Sequence, residues 1–476
     1  MNGPIVRVFG VTLVLFALLI AFTSRWAVFE RDTLQDNPQN KRALIEQQRI
    51  ARGRILASDE QTLARSVRRQ DGAYTRRYPL RGLFAHPVGY SYLNPGNAGL
   101  ERFYNGELLG RDQGLQNTLR RIQGKRREGN DLHTALDPAA QQVALDGLAG
   151  RAGAVVALDP RTGRVKVMAS VPGYDPNTLR SAAQTTRLNT APGSPLFNRV
   201  TQAGYPPGST FKVVTAIAAI DSGTFAPDSV VDGRNGVEIS GVPLNNDGGE
   251  DFGNIDLTTA LTNSVNTVWA QVGEDVGART MQKYMSRLGF GRQVAVDLPS
   301  SERRASGEFC KGRFVRATNP CVDIGRMAIG QDKLQTTPLQ MAQVAAAVAN
   351  GGTLMRPFMA TRAEDPEGRT TLQNDPEELS RVMSPATARK ITAMMTRVVQ
   401  EGTGTAAALQ GIDVAGKTGT AERVVAENIT TPWFIGFAPA NDPQVAVAVT
   451  IERSVGGFGG TEAAPIAKAV MESLLR

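Results

Sequence analysis

A serine and a lysine three residues apart have the residue types of an activated nucleophile. Ser209 and Lys212 end the run Gly204–Lys212, in which two prolines and a glycine precede a small, apolar segment that continues to Ile220. This composition predicts a buried helix that begins near Ser209, with Lys212 one turn further along the same face. A serine hydroxyl becomes an effective nucleophile when a neighbouring base removes its proton. The pair therefore indicates covalent catalysis.

Lys212 can serve as that base only in its neutral form. Lowering the pKa of a lysine from about 10.4 to near 7 costs roughly 4 to 5 kcal/mol. A second cation about 4 Å away, in an effective dielectric near 20, supplies about that much. The hypothesis therefore requires another Lys or Arg in the pocket, and Lys417 is a candidate far downstream.

Two further short motifs accompany the first. They are Ser264-Val265-Asn266 and Lys417-Thr418-Gly419, the latter followed by Thr420. Taken singly, each has an ordinary explanation: Ser-x-x-Lys is usually a solvated pair on a helix, and Asn263 and Ser264 are suited to capping one. Their joint occurrence in this order and at this spacing is far more specific.

Composition limits the classes of function. The chain has 476 residues, a formal charge of +8 and 41% apolar residues, enough for two or three domains. The basic charge suits nucleic acid, anionic lipid or an anionic cell wall equally. The scarce histidines and cysteines, His86, His133, Cys310 and Cys321, predict chemistry without a metal or cofactor.

The N-terminal segment predicts a membrane anchor. Val8 to Thr23 is continuously apolar or small, and Arg7 precedes it, which favours a cytoplasmic N-terminus and an exported body. A cleaved signal peptide is the alternative, but no clear cleavage site follows. Export argues against nucleic acid as the partner of the basic charge.

The remaining chain divides in two. Residues 31–149 are polar and arginine-rich, including a basic cluster over 120–127, and predict a small α+β pedestal module or, alternatively, an extended stalk. Residues 150–476 form the main domain, near whose start Asp137-Pro138 marks a helix N-terminus. A β-hairpin is predicted over 152–170 and strands over 412–421, 433–438 and 444–452. The glycine-rich segment 456–460 predicts a flexible turn before the last helix.

From about residue 150 onward, the chain resembles the transpeptidase domain of class B penicillin-binding proteins. The resemblance rests on the three motifs and on Phe197-Asn-Arg199, Ala328–Gln331 and Trp433–Pro439. It implies an α+β fold, with a five-stranded antiparallel sheet flanked by helices, a helical subdomain and the active site at their junction. With its anchor (residues 1–30) and pedestal, the whole chain is most similar to the actinobacterial penicillin-binding protein A group.

The resemblance also implies a role for each motif residue. Ser209 would attack the carbonyl between two D-alanines of a peptidoglycan stem peptide, Lys212 would take its proton, and Ser264 would relay a proton to the leaving amine. The remaining positions would lower the pKa of Lys212 or bind the substrate, and they are Asn266, Lys417, Thr418, Gly419 and Thr420. β-Lactams mimic this substrate in the family, so they should acylate Ser209.

The resemblance and the predicted anchor together imply a single-pass plasma-membrane enzyme that works outside the cell beside a glycan polymerase of the SEDS type. Other readings of the sequence stay open: a D,D-carboxypeptidase, which uses water as acceptor, and a non-catalytic penicillin-binding scaffold or sensor. A serine β-lactamase is a minor alternative, because no Glu-x-x-Leu-Asn-type deacylation motif lies between Asn266 and Lys417.

The two cysteines lie in the exported part of the chain, where an oxidising compartment favours disulfides. We expect a Cys310–Cys321 bridge that clamps the loop between the second and third motifs, worth up to about 3 kcal/mol. Two free buried thiols are the alternative.

Overall fold

The first helix follows directly from the apolar N-terminal run. The computed structural model describes residues 2–25, 48–93, 95–111, 128–424 and 427–476. Helix α1, Gly3–Ser24, has 22 residues, and an 18-residue stretch of it has a mean hydropathy of 2.6, so by length and composition it is able to span a membrane. The predicted boundary at residue 30 and the basic cluster over 120–127 lie outside the described residues.

The helices begin where the sequence supplies caps. Asp137, Ser384 and Thr337 each accept a hydrogen bond from the backbone N–H three residues further on, and each is followed by proline. After α1, the helices are α2 Ala85–Val88, α3 Gly99–Phe103, α4 Asn105–Leu108, α5 Pro138–Leu148, α6 Ala182–Asn189, α7 Arg199–Gln202, α8 Lys212–Asp221, α9 Leu257–Thr262, α10 Asn266–Arg287, α11 Ile324–Ala328, α12 Pro338–Ala349, α13 Pro385–Gln400 and α14 Ala464–Leu475.

The strands are short in the first half of the chain and longest near its end. They are β1 Ile55–Leu56, β2 Thr62–Arg68, β3 Tyr74–Arg77, β4 Ser91–Tyr92, β5 Gly96–Asn97, β6 Asp131–Thr134, β7 Gly153–Leu158, β8 Val165–Val171, β9 Val230–Asp232, β10 Val237–Ile239, β11 Val242–Leu244, β12 Asn254–Asp256, β13 Gly307–Cys310, β14 Arg313–Val315, β15 Leu334–Gln335, β16 Thr353–Met355, β17 Ala360–Glu364, β18 Thr370–Gln373, β19 Glu378–Arg381, β20 Ala415–Val424, β21 Ile429–Ala438, β22 Val445–Ile451 and β23 Ser454–Val455.

One antiparallel sheet organises the main domain. Its strand order is β20-β21-β22-β7-β8, with β23 paired to β21, so the predicted hairpin and the three predicted strands are confirmed. Every residue of β21 and β22 is buried, because α12 packs on one face of the sheet and α5 and α14 cover the other. Helices α8, α9, α10 and α13 pack together beside the β20 edge.

A second sheet joins distant parts of the chain. Its order is β18-β17-β6-β1-β2-β3, and β17 and β18 come from residues 360–373, far beyond the N-terminal module that contributes the other strands. Helix α5, which precedes residue 150, packs instead against α14 and β8 of the main domain. The two parts of the chain are thus interleaved.

Two loop predictions have different outcomes. Cys310 and Cys321 form a disulfide with their Cα atoms 6.7 Å apart, which confirms the predicted pairing. The prediction of a flexible turn over 456–460 is wrong at its end, since Gly459–Ala463 forms a helical turn that leads directly into α14. The backbone of Gly459, the first residue of this turn, packs directly against that of β20.

Candidate active site

Two glycines whose backbones touch, Gly208 and Gly330, hold the turn that carries Ser209 in place. Gly208–Phe211 forms one 3-10 turn that runs into α8, so the predicted helix start is confirmed. Gly208 has a φ of +53° and donates its N–H to Gly330 O at 3.0 Å. A Cβ on Gly330 would lie 1.9 Å from Gly208 O, so only glycine fits there. Ser209 is left half-buried at the head of the helix.

Lys212 lies one turn after Ser209, and its side chain is fully buried. Its Nζ donates to Ser264 O at 2.6 Å and to Asn266 Oδ1 at 2.7 Å, and lies 3.3 Å from Ser264 Oγ. Burial is the main cause that holds the pKa of Lys212 well below its usual value; the charge of Lys417 lowers it further and Asp247 opposes both. The expectation that a second cation supplies most of this effect was therefore wrong, because desolvation contributes more.

The second motif lies at a break between two helices. Helix α9 ends at Thr262 and α10 begins at Asn266, and Ser264 between them has a φ of +59°. The capping interpretation of Ser264 is wrong: Val265 precedes the first residue of α10, without a side-chain cap bond, and Ser264 Oγ lies beside Lys212 instead. The left-handed backbone at Ser264 directs both its carbonyl and its hydroxyl towards Lys212.

A loop that the sequence did not point to supports this motif. Asn266 Nδ2 donates to Asn245 O at 3.2 Å, and buried Asn246 accepts from Thr267 N and Thr267 Oγ1 at 3.1 Å each. The amide of Asn246 in turn donates to Gly233 O and Glu250 O. Asn246 therefore ties the loop to the first turn of α10. The sequence signal was only a polar Asn-Asn-Asp run among turns, which is common in surface loops.

The third motif lies on β20, at the edge of the central sheet. Lys417 is fully buried and its Nζ donates to Thr418 O at 3.1 Å, with Thr418 Oγ1 at 3.5 Å. Thr418 Oγ1 also bonds Thr403 Oγ1, and Thr420 Oγ1 accepts from Gly459 N at 3.2 Å. Burial lowers the pKa of Lys417 to about 7. The two lysines therefore share a desolvated site in which burial lowers the pKa of both.

We predict that Lys417→Met stabilises the fold while it impairs acylation. An unfolded lysine titrates near 10.5 and the folded one near 7, so the unfolded chain binds more protons between these values and wild-type stability rises with pH across that window. At pH 7 the buried lysine costs about 4 kcal/mol. The measurement is the Tm of both proteins between pH 6 and pH 9, with Lys390→Met, at an exposed position of α13, as control. A lower Tm for Lys417→Met at pH 7 would contradict the prediction.

Gly419 lets β20 pass directly beside the Ser209 turn. A Cβ at this position would lie 2.8 Å from Pro207 O and 3.0 Å from Thr210 N. Gly459 approaches from the other side, where a Cβ would lie 2.4 Å from Gly419 O. Close backbone approach therefore explains glycine at both positions.

We predict that Gly419→Ala slows acylation by β-lactams about 100-fold, because the added methyl group displaces the Ser209 turn from β20. Gly173→Ala is the matched control, since its Cβ would come no closer than 3.7 Å to any atom. Stopped-flow acylation of both variants measures the effect, and their Tm values report any unfolding. Equal acylation rates in the two variants would argue against the close approach.

The other signature residues form a supporting layer behind the site. Trp433 is fully buried and donates its Nε1–H to Pro206 O at 3.0 Å, which fixes the chain just before the Ser209 turn. Tyr205, edge-on to Trp433, donates its hydroxyl to Glu452 Oε2 at 3.1 Å, and Arg199 Nε donates to the same oxygen at 2.8 Å. Trp433 and Arg199 therefore position the chain before Ser209 and take no direct part in the reaction.

All predicted site residues are brought to one junction between β20, the start of α8 and the start of α10. Residues more than 150 positions apart in the chain, such as Ser264 and Lys417, both lie close to Lys212. Within the described ranges, no group of three His, Cys, Asp or Glu side chains is placed to hold a metal ion. The arrangement offers a hydroxyl, a buried amine with a depressed pKa, and backbone N–H groups at a helix start. These are the groups that acyl transfer requires.

Comparison with known families agrees with this geometry. Residues 153–472 match the penicillin binding protein transpeptidase domain, and residues 52–132 match the penicillin binding protein A dimerisation domain. The peptidoglycan D,D-transpeptidase PbpA of Mycolicibacterium smegmatis is 35% identical, over all of this chain and 99% of the relative. PbpA of Mycobacterium tuberculosis is 34% identical with the same coverage.

Solved structures show the same fold. Penicillin-binding protein A from M. tuberculosis, as a ceftriaxone acyl-enzyme complex, superposes with a TM-score of 0.83 at 31% identity, covering 91% of this chain and 100% of that one. Its penicillin G acyl-enzyme complex has a TM-score of 0.80 at 32% identity, covering 90% and 100%. These likenesses confirm the predicted fold class.

Proposed function

The chain belongs to the penicillin-binding protein transpeptidase family, and from that premise we propose that it is a serine-type peptidoglycan D,D-transpeptidase with Ser209 as its nucleophile. The observation that supports this assignment best is the environment of Lys212. It is buried, one helical turn from Ser209, bonded to both polar residues of the second motif and beside the lysine of the third. β-Lactams acylate the same serine in this proposal.

Lys212 acts as the general base. A neutral amine has two N–H bonds, and the two short contacts to Ser264 O and Asn266 Oδ1 use both, which leaves the lone pair for a hydroxyl proton. The depressed pKa raises the fraction of the amine that is neutral, which is the form a general base requires. Both features support Lys212 as the acceptor of the Ser209 proton.

In the reaction, a bond to Ser209 forms, the peptide bond breaks, and an acceptor amine then releases the serine. Ser209 Oγ bonds to the carbonyl carbon between the last two D-alanines, and its proton passes to Lys212. The bond from that carbon to the terminal D-alanine nitrogen breaks, and the nitrogen receives the proton through Ser264, whose hydroxyl lies 3.3 Å from Lys212 Nζ. An amine of a neighbouring stem peptide attacks the ester, forms the cross-link and returns a proton to Ser209.

The carbonyl oxygen of the reacting bond becomes negative in the transition state. Backbone N–H groups of Ser209 and Thr420 are our proposed donors, because Gly208 and Gly419 allow the helix start and β20 to lie in direct contact. Each such donor contributes roughly 3 to 4 kcal/mol in other acyl-transfer enzymes.

The substrate carboxylate binds at the third motif. Lys417, Thr418 and Thr420 lie on one stretch of β20, whose Gly419 is in close contact with the Ser209 turn. An arriving carboxylate raises the pKa of Lys417 from about 7, so the lysine becomes charged when substrate binds. Asn266 binds a peptide amide of the stem while its Oδ1 holds Lys212.

We further propose that α1 anchors the protein in the plasma membrane and that residues 31–149 and 150–476 both lie outside the cell. The long apolar helix preceded by Arg7 supports this orientation. A SEDS-type glycan polymerase is the proposed partner, reached through α1 and the N-terminal module. The match of residues 52–132 to a dimerisation domain supports a protein-binding role for that module.

The decisive experiment supplies the full chain in detergent with uncross-linked glycan strands that bear stem peptides ending in D-Ala-D-Ala. Muramidase digestion and mass spectrometry would show cross-linked muropeptide dimers together with released D-alanine. D-Alanine released without dimers would instead indicate a carboxypeptidase, and a stable penicillin adduct without either product would indicate a sensor or scaffold. Ser209→Ala is the control for all three products.

A further inference from the structure

Two buried arginines share one carboxylate in the N-terminal module. Glu101 is fully buried and accepts from Arg52 Nε and Nη2 through Oε2, at 3.1 and 2.9 Å, and from Arg76 Nε through Oε1. Burial works to raise the pKa of Glu101, but Arg76 and Arg52 outweigh it and hold the pKa below its usual value. The three side chains together carry a net positive charge in a desolvated place, which is costly unless another anion compensates it.

Arg76 is the incompletely paired member of this group. Its Nη1 makes only long contacts, to Arg52 O at 3.3 Å and Ser66 Oγ at 3.4 Å, and its Nη2 is buried without a hydrogen-bond partner. By contrast, every guanidinium nitrogen of Arg52 has an acceptor, since Nη1 donates to Asn105 Oδ1 at 2.7 Å. Most buried donors in proteins are paired, so an unpaired guanidinium nitrogen requires an explanation, and one explanation is an acceptor that comes from outside the chain.

A cavity of about 40 Å³ adjoins these arginines. Its wall includes both arginines and several polar side chains, namely Gln48, Ser66, Thr75 and Ser91. A cavity needs about 10 to 15 Å³ to hold one water molecule, so this cavity has room for a small polyatomic anion. It is far smaller than the several hundred Å³ of a site for a drug-sized ligand.

Further positive charge surrounds the cavity. Tyr92 also lines it, and burial raises the pKa of Tyr92 to about 12 against the opposing effects of Arg180 and Arg77. Arg180 comes from the main domain, so guanidinium groups reach this part of the module from two directions. Such a field favours an anion over a neutral ligand.

We propose that this cavity, which we call the arginine cavity, binds one small oxyanion of the phosphate class. One ligand oxygen accepts from Arg76 Nη2, and the others accept from the hydroxyls and the amide of the wall. Phosphate suits the site better than a carboxylate, because the donors come from more than two directions and phosphate offers more than two acceptor oxygens. Free phosphate and the phosphate of a lipid headgroup share this chemistry.

Equilibrium dialysis of the full chain in detergent against radiolabelled inorganic phosphate tests the proposal. We expect saturable binding of one phosphate per chain at constant ionic strength. Ser66→Asp should abolish it, because Ser66 pairs with Arg76 across β2 and β3, and the new carboxylate would occupy the cavity. Arg65→Ala, which alters an exposed neighbour of Ser66 on the opposite face of β2, should leave the binding unchanged.

Two outcomes would overturn the proposal: no saturable binding at millimolar phosphate, or undiminished binding by Ser66→Asp. The second would place the phosphate elsewhere, for example at Lys417, which Ser66→Asp does not touch. Comparison of Tm values shows whether the variant is folded. Failure of the proposed enzymatic function would leave both measurements unaffected.

A second arm identifies the source of the anion. The full chain is placed in nanodiscs of phosphatidylglycerol or of phosphatidylcholine, and phosphate binding is measured in both. Loss of binding in phosphatidylglycerol alone would show that an anionic headgroup occupies the arginine cavity. Equal binding in both would identify free phosphate as the ligand.

Discussion

Full-length protein incubated with penicillin G is expected to gain the mass of one drug molecule, and the Ser209→Ala variant is expected to gain none. The ring-opened drug stays bound because its leaving nitrogen remains part of the same molecule, so it blocks the place where an acceptor amine would attack. Removing the nucleophile removes the ester altogether, and we expect the rate of acylation to fall below detection. Intact-protein mass spectrometry measures both species.

Ser222→Ala is the matched control for this experiment. Ser222 follows the last residue of α8, the helix into which the Ser209 turn runs, and its hydroxyl bonds only local groups at Ala219 and Thr224. It should form the adduct at the wild-type rate. A one-drug adduct on Ser209→Ala would show that another residue is the nucleophile, whereas drug consumption by the wild type without a lasting adduct would indicate a β-lactamase.

Lys212→Met is expected to slow acylation by a factor of about 10² to 10⁴, the usual contribution of a general base. Methionine has nearly the same length and suits a buried position, so the fold should persist. Burial, reinforced by Lys417, lowers the pKa of Lys212, and the neutral amine is the active form. The wild-type rate should therefore fall about tenfold per pH unit below that pKa, while the residual rate of the variant loses this dependence.

The control for this prediction is Lys283→Met, which removes an exposed lysine from α10. Stopped-flow measurements of penicillin acylation between pH 5 and pH 9 supply the rates. Lys212→Arg adds a second test, because arginine keeps the positive charge but stays protonated, and it should be as slow as methionine. A fast Lys212→Arg variant would mean that the lysine acts as a charge rather than as a base.

Much of the site followed from local sequence. Several features act through their immediate neighbours in the chain. They are the prolines and glycine before Ser209, the glycine within β20, and the helix starts at Asp137, Thr337 and Ser384, each of which is followed by proline. Turn and cap preferences depend on backbone conformation within a few residues, so they can be read without the fold. The helix starts and the central hairpin were predicted on that basis, whereas the three motifs were identified from their residue types, order and spacing.

Other features depended on contacts between distant segments. The role of Asn246 in holding the first turn of α10, and of Gly459 in backing Gly419, has no local signature. The same is true of β17 and β18, which leave the main domain to complete the sheet of the N-terminal module. Strand partners far apart in the chain are selected by packing, to which a short sequence pattern contributes little.

The sequence by itself determined which residue types are available for chemistry and which of them begin helices, because these properties are local. Only the tertiary structure decided that burial would be the main cause lowering the pKa of Lys212, that Ser264 would face it through a left-handed backbone, and that Nη2 of Arg76 would lie unpaired near a cavity. Desolvation and hydrogen bonding depend on which atoms surround a group in space, and those atoms come from every part of the chain.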